Sequence, residues 1–204
     1  MPPQSPARQP TIVLFTIALG LTVALLELGL VAYAYERIGL ESRYLISLLA
    51  LSLLGSNVNL PLARSAGDAN GDAPPQVLSI NVGGALIPTG LALYLLASGA
   101  APPSAFLGVA VVAAVVHRVA RPQPGVGIAV PILVPPVLAA VMGVLLAPAA
   151  APAFAYVAGT LGTLIGADLT NVRVLRSLGA AASIGGAGTF DGIFVTGILA
   201  VLLA

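Results

Sequence analysis

Long apolar runs, separated only by short breaks of charge, proline or glycine, make up nearly all of this sequence. Of its 204 residues, 58% are hydrophobic and 7% are charged, whereas about a quarter of the residues of an average soluble domain are charged. A bilayer core about 30 Å thick takes roughly 20 apolar residues per spanning helix. We therefore expect an all-α fold, a polytopic transmembrane helical bundle surrounded by membrane lipid.

Seven apolar runs are bounded by charged residues or by clusters of proline and glycine, so the expected bundle has about seven helices in one transmembrane domain, residues 11–204. The first run, from Thr11 to Tyr33, is longer than the hydrophobic region of a signal peptide and is interpreted as a span. The proline-rich residues 1–10 are predicted to form a disordered tail. The predicted spans are 11–33, 44–62, 77–98, 103–118, 126–147, 152–171 and 183–204.

The arginines are distributed unevenly between the two sides that seven spans would create. Because short cytoplasmic loops are rich in arginine and lysine, the side with more of them is expected to be cytoplasmic. Arg37 and Arg43 fall on one side. The other six, on the side of the N-terminus, are Arg8, Arg64, Arg118, Arg121, Arg173 and Arg176. This pattern predicts a cytoplasmic N-terminus.

Composition also excludes several functions. The chain has no cysteine, which removes disulfides, thiolate metal sites and a cysteine nucleophile. Its formal net charge of +1 provides no basic surface for nucleic acid. We expect neither a metal ion nor a cofactor.

Four ionisable side chains are predicted to lie inside the membrane or near its surface: Glu27, His117, Asp168 and Asp191. A carboxylate at mid-bilayer costs at least about 2.5–3.5 kcal/mol, so such a residue usually marks a site inside the bundle. Glu27 can be explained by a hydrogen bond between helices. His117, close to Arg118 and Arg121, fits a cationic cluster at the membrane surface.

Asp168 and Asp191 form a pair, because the sixth predicted span descends to the cytoplasmic side and the seventh leaves it. Both carboxyls are then expected in the same third of the membrane. Two carboxyls in a site of low dielectric constant can share one proton, as the dyad of aspartic proteases does. The same pair can instead carry protons or cations in a transporter, or form a hydrogen bond between helices.

Other polar and small residues are expected on the cytoplasmic side of the bundle, near the two aspartates. Buried amides need hydrogen-bond partners, so we interpret them as the lining of a polar pocket, although helix capping at the membrane surface explains them equally well. Two glycines near Asp191 would leave backbone exposed beside it. The predicted lining residues are Asn57, Asn59, Pro61, Asn81, Gly83, Gly84, His117, Gly186 and Gly188.

Four motifs resemble an uncharacterised prokaryotic family of polytopic membrane proteins, a domain of unknown function. They are SNVNLPL from Ser56 to Leu62, NVGGALIP from Asn81 to Pro88, GADL from Gly166 to Leu169, and SIGGAGTFDGIF from Ser183 to Phe194. This resemblance implies a multi-pass protein of a prokaryotic inner or plasma membrane.

A more distant similarity is to the GxGD intramembrane aspartyl proteases, the presenilin and signal peptide peptidase group. Their catalytic aspartates lie on a helix that descends to the cytoplasm and on the helix that rises next. Asp168 would match the first and Asp191 the second. Gly186-Ala187-Gly188 approximates the GxG element, with two residues before the acid.

The predicted function is that of an intramembrane aspartyl protease-like hydrolase, with Asp168 and Asp191 as catalytic residues and transmembrane helices as substrates. The alternatives are a proton- or cation-coupled transporter or channel that uses the same acids, and a membrane scaffold without turnover. Aspartates that lie together favour the hydrolase, and a continuous polar path across the bundle favours transport.

Overall fold

The structure is a computed structural model that describes residues 8–65, 76–123, 127–177, 181–186 and 191–204. Helix predominates in these ranges, as predicted. The helices are α1 (Arg8–Arg37), α2 (Ser42–Gly55), α3 (Ile87–Ala97), α4 (Ala105–Val119), α5 (Val134–Leu146), α6 (Ala151–Thr163), α7 (Val172–Ser177) and α8 (Gly192–Leu203). A π-helical turn, Val82–Leu86, precedes α3; another, Leu164–Leu169, continues α6; and a 3₁₀ turn, Pro148–Ala150, leads into α6.

Helix α6 is the centre of the bundle and contacts α3, α4, α5 and α8. Every residue of α6 except Pro152 is buried. Its glycines allow this close packing: a Cβ atom on Gly162 would lie 2.6 Å from the Cβ of Val112 on α4. Helices that pack in lipid commonly meet at such small residues, because close backbone approach increases van der Waals contact.

Two small sheets lie among the helices, which the prediction of an all-α fold missed. Strands β1 (Asn59–Ser65), β2 (Gln76–Asn81) and β5 (Ala181–Ile184) form one sheet in the order β1-β2-β5. The first pair is antiparallel and the second is parallel, with Val77 opposite Ala181. Strands β3 (Arg121–Gln123) and β4 (Gly127–Ala129) form an antiparallel pair.

These strands correct four of the predicted spans, because each of the four contains strand residues where continuous helix was expected. In the second, helix ends at Gly55 and β1 begins at Asn59. The third and seventh begin within β2 and β5, and the fifth contains β4. A short apolar run is compatible with a buried strand as well as with a helix, so hydrophobicity alone could not separate them. The predicted tail, residues 1–10, is also too long, since α1 begins at Arg8; residues 1–7 lie outside the described ranges.

Within the described residues, one helix is long and apolar enough to cross a membrane. It is the continuous helical segment Pro148–Leu169, 22 residues long, and 78% of its most apolar window is buried in the bundle. The core helix of a soluble protein would pass the same test. Seven spans and a cytoplasmic N-terminus therefore stay predictions.

Candidate functional site

Asp168 lies in the π-helical turn that ends the central helix. The wider turn is seen in the backbone hydrogen bond from Thr170 N to Ile165 O, 3.0 Å long. The next side chains satisfy carbonyls near the helix end, with Thr170 Oγ1 2.8 Å from Gly166 O and Asn171 Nδ2 2.9 Å from Ala167 O. Single π-helical turns within helices are frequent at functional sites. Here the turn holds a buried carboxyl at the end of the most buried helix.

Asp191 begins α8 as its N-cap residue. Its backbone is extended, and its Oδ1 atom accepts a hydrogen bond of 2.9 Å from the backbone N–H of Ile193. Aspartate is among the preferred residues at this position, because a short acceptor satisfies an N–H that has no partner within the helix. Asp191 is buried, so this bond fixes the orientation of a carboxylate in the interior.

The backbone after β5 holds the other carboxylate. Gly185 donates its N–H to Asp168 Oδ2 over 3.0 Å. Its φ of +67° is a left-handed conformation that glycine adopts without steric cost. On the opposite side, a Cβ atom on Gly84 would clash with the carbonyl oxygen of Gly185 and lie 2.8 Å from the Cβ of Asp191. Three segments distant in the sequence therefore meet closely at the aspartates.

Asp168 and Asp191 line one pocket of about 240 Å³ and are close enough to interact electrostatically. The pocket lies between the end of the α6 segment, the start of α8, and the chain from β4 into α5. Thr163 and Thr196 add hydroxyl groups to it, and the Thr163 hydroxyl is buried without a hydrogen-bond partner among the described residues. The other lining residues are Ile128, Ala129, Val130, Pro131, Ile132, Pro135, Ala167, Gly192, Ile193 and Val195.

A network of amides and hydroxyls joins the three-stranded sheet to α2 near the pocket. The buried Asn81 donates from Nδ2 to Ser56 O over 2.7 Å and to Asn59 Oδ1 over 3.1 Å. Its Oδ1 accepts from the Gly84 N–H over 2.8 Å, which caps the turn that begins the α3 segment. Ser183 Oγ on β5 donates to Asn59 Oδ1 over 2.6 Å. The network thus fixes Gly84 against the aspartates.

Of the other predicted site residues that the structure describes, none lines the aspartate pocket. Gly83 packs against the α2 backbone, and Gly186 is exposed after β5. Asn57 is exposed, with its amide near Leu53 O, and Pro61 is exposed at the β1 bulge. Gly188 lies outside the described residues. The pocket lining does not include Asn57, Asn59, Pro61, Asn81, Gly83, Gly84, His117 or Gly186.

His117 and Glu27 lie away from the aspartates. His117 is exposed at the end of α4, with Nδ1 2.8 Å from Thr170 Oγ1, where it supports the end of the π-helical turn. Glu27 lines an apolar groove of about 330 Å³ between α1 and α8, beside Leu30 and Phe194. Among the described residues, no group of three or more His, Asp or Glu side chains is arranged to hold a metal ion.

Sequence reasoning missed the wall formed by residues 128–135, which closes one side of the pocket. The signal was present, because Pro131 and Pro135 interrupt the fifth apolar run and proline inside such a run breaks a helix. Thr163 and Thr196 gave no comparable signal. Threonine is common inside apolar helices, where its hydroxyl can bond to the preceding turn.

Comparison with known proteins identifies the family without adding an activity. No curated protein and no solved structure matches the chain. The family model described as a protein of unknown function, DUF1614, matches residues 41–203, which include both aspartates and both sheets. The predicted membership of an uncharacterised family is thereby confirmed: the chain belongs to the DUF1614 family.

Proposed function

We propose that this DUF1614 protein is a multi-pass membrane protein with a cytoplasmic N-terminus. Large apolar side chains on its outer surface support the proposal, because soluble monomers rarely expose wide apolar patches. Helices α2, α4 and α5 each present several of them to the outside. Among the most exposed are Ile46, Leu54, Leu93, Phe106, Leu107 and Leu145.

Within that membrane protein, we propose that Asp168 and Asp191 hydrolyse a peptide bond. The observation that supports this most directly is that both carboxylates line one pocket, each oriented by a backbone N–H. General acid–base catalysis requires groups that are positioned before the substrate arrives. A buried pair of carboxylates with one shared proton provides an acid and a base at the same place.

The proposed reaction follows from that shared proton. The ionised carboxylate takes a proton from water as the water oxygen attacks the scissile carbonyl carbon, and the protonated carboxyl gives its proton to the carbonyl oxygen. The resulting gem-diol then collapses: the nitrogen accepts the proton of the protonated carboxyl, a hydroxyl of the gem-diol gives its proton to the ionised carboxylate, and the C–N bond breaks. The products are a carboxylic acid and an amine, and the pair again holds one proton.

The proposed substrate class follows from the expected position of the pocket inside the membrane. A carbonyl within a transmembrane helix is hydrogen-bonded along the helix axis and shielded by side chains. The scissile segment must therefore be extended when it reaches the aspartates. We propose transmembrane helices that unwind locally near the cytoplasmic side as substrates.

The test uses the full chain, reconstituted in liposomes with a panel of single-span reporter proteins. Cleavage is expected with the unchanged chain and should be lost in both Asp168→Asn and Asp191→Asn. Glu41→Gln, a matched carboxyl-to-amide change in the exposed pair with Arg43, should retain it. Cleavage that persists in either aspartate variant would sink the dyad. Proton or cation flux without cleavage would favour the transporter, and neither activity would favour the scaffold.

A further inference from the structure

A second pocket, lined by arginines, lies next to the aspartate pocket. It has a volume of about 500 Å³ and shares the wall Ala129, Val130 and Pro131 with the first. Its polar lining consists of Arg118 at the end of α4 and of Arg121 and Gln123 on β3. The proposed hydrolysis uses none of these three side chains, and none of them lines the aspartate pocket.

No ion pair neutralises the two arginines within the described part of the chain. Neither guanidinium group makes an ion pair or a hydrogen bond with a described residue, whereas the Arg43 side chain is paired with Glu41 at 2.9 Å. No acidic side chain is among the described residues that line this pocket. Two guanidinium groups and a carboxamide therefore present unused N–H donors to one cavity.

A favourable interaction with the helix dipole explains only part of this arrangement. A cation in the last turn of a helix is stabilised by the partial negative charge there, which accounts for Arg118. Arg121 lies beyond the helix, on β3, and its side chain nevertheless lines the same cavity. The two cations are brought together by the β3–β4 pair rather than by the end of α4.

We propose that this pocket binds a phosphate group, with Arg118 and Arg121 as its charged ligands and Gln123 as a further donor. Guanidinium groups match phosphate oxygens in geometry and charge. Val119 and Val130 add apolar surface to the cavity. This surface suits the carbon atoms of a phosphate ester.

An anionic phospholipid is the source that the surroundings favour. Ile132 and Leu133 follow the shared wall and are 65% and 60% exposed, so an apolar surface for an acyl chain adjoins the arginines. Basic pockets beside membrane helices bind anionic headgroups in this way. Free phosphate would use the same donors without that apolar surface.

The experiment measures the thermal unfolding midpoint of the purified full chain in phosphatidylcholine nanodiscs. Circular dichroism is the readout, because the chain has no tryptophan whose fluorescence could report unfolding. One arm adds phosphatidylglycerol to the nanodiscs, and a second adds inorganic phosphate to the buffer. A ligand that binds only the folded chain raises the midpoint. We expect a rise with phosphatidylglycerol that exceeds the rise with inorganic phosphate.

The variant Arg118→Gln/Arg121→Gln should weaken the apparent affinity for phosphatidylglycerol by about tenfold or more, because it loses charge-assisted hydrogen bonds. Both side chains are exposed, so the midpoint in phosphatidylcholine alone should not change. Arg173→Gln, which removes an exposed arginine outside the pocket, should respond like the unchanged chain.

A larger rise with inorganic phosphate than with lipid assigns the pocket to a soluble phosphate. No rise in either arm, or an equal rise in the double variant, overturns the proposal. The lipid assignment rests on the proposed membrane location, but loss of cleavage does not affect this readout, so it fails independently of the proposed hydrolysis.

Discussion

At the scale of single residues, Asp191 has two tasks that can be separated chemically. It lines the pocket with Asp168, and it caps α8 through its bond to the Ile193 N–H. The cap needs only an oxygen acceptor, which asparagine also provides. The proposed hydrolysis needs a carboxyl that exchanges a proton, which asparagine does not provide. Substitutions at this one position can therefore distinguish a structural acid from a catalytic one.

We predict that Asp191→Asn abolishes cleavage while leaving thermal stability in detergent unchanged or slightly raised, since it keeps the cap and removes a negative charge near Asp168. Asp191→Ala should lose cleavage and also about 1 kcal/mol of stability, the usual cost of removing an N-cap. Unfolding followed by circular dichroism measures both variants. If the two are equally destabilised, the cap does not contribute as proposed.

At the scale of elements, close approach at glycine determines how α6 fits among its neighbours. Gly162 leaves no space for a side chain beside Val112, whereas Gly90 on α3 has no atom within 4 Å of its hypothetical Cβ. Both are glycines inside apolar helices, so they look equivalent in the sequence. Only their surroundings show that close packing requires Gly162, whereas Gly90 merely lowers the helix propensity of α3.

Replacing each of these glycines with alanine should consequently have opposite effects. Gly162→Ala should destabilise the chain by about 1–3 kcal/mol, because it overpacks the α4–α6 contact. Gly90→Ala should stabilise it by up to about 1 kcal/mol, because alanine is the better helix former. Thermal unfolding of the two variants in the same detergent provides the comparison. Equal shifts in the same direction would show that α4 and α6 are not in close contact.

The sequence was sufficient to predict helices and to single out Asp168 and Asp191, because apolar runs and buried acids are local signals. It was insufficient for the sheets. The β2–β5 pair joins residues such as Val77 and Ala181, about half the chain apart, and no local pattern reports such a pairing. Asn81 and Asn59 were interpreted as pocket residues for the same reason: their partners on other strands could not be known from spacing.

At the scale of the whole molecule, one contact joins the end of α1 to the end of α8. Arg37 at the end of α1 donates to Val201 O near the end of α8 over 2.8 Å. With seven alternating spans, the ends of the first and last spans are expected on the same side, opposite the N-terminus. The contact between α1 and α8 is compatible with the proposed topology.

The absence of native cysteine allows that topology to be measured with single introduced thiols. Ser98→Cys, after α3, should react with a membrane-impermeant maleimide on intact cells. Gln123→Cys, on β3, should react only after the membrane is permeabilised. Both positions are exposed, so burial does not confuse the result. The reverse pattern would invert the orientation, and labelling of both in intact cells would contradict the predicted number of spans.

The parallel pairing of β2 with β5 also bears on when such a protein becomes active during its synthesis. Strand β2, the π-helical turn and α3 are made long before β5 and α8, yet Gly84 lies against Gly185 and Asp191. A nascent chain that has inserted only its first helices holds neither aspartate, and one that has completed the α6 segment still lacks Asp191. Under the proposed hydrolysis, cleavage of neighbouring membrane proteins at the translocon would therefore begin only after α8 is in place.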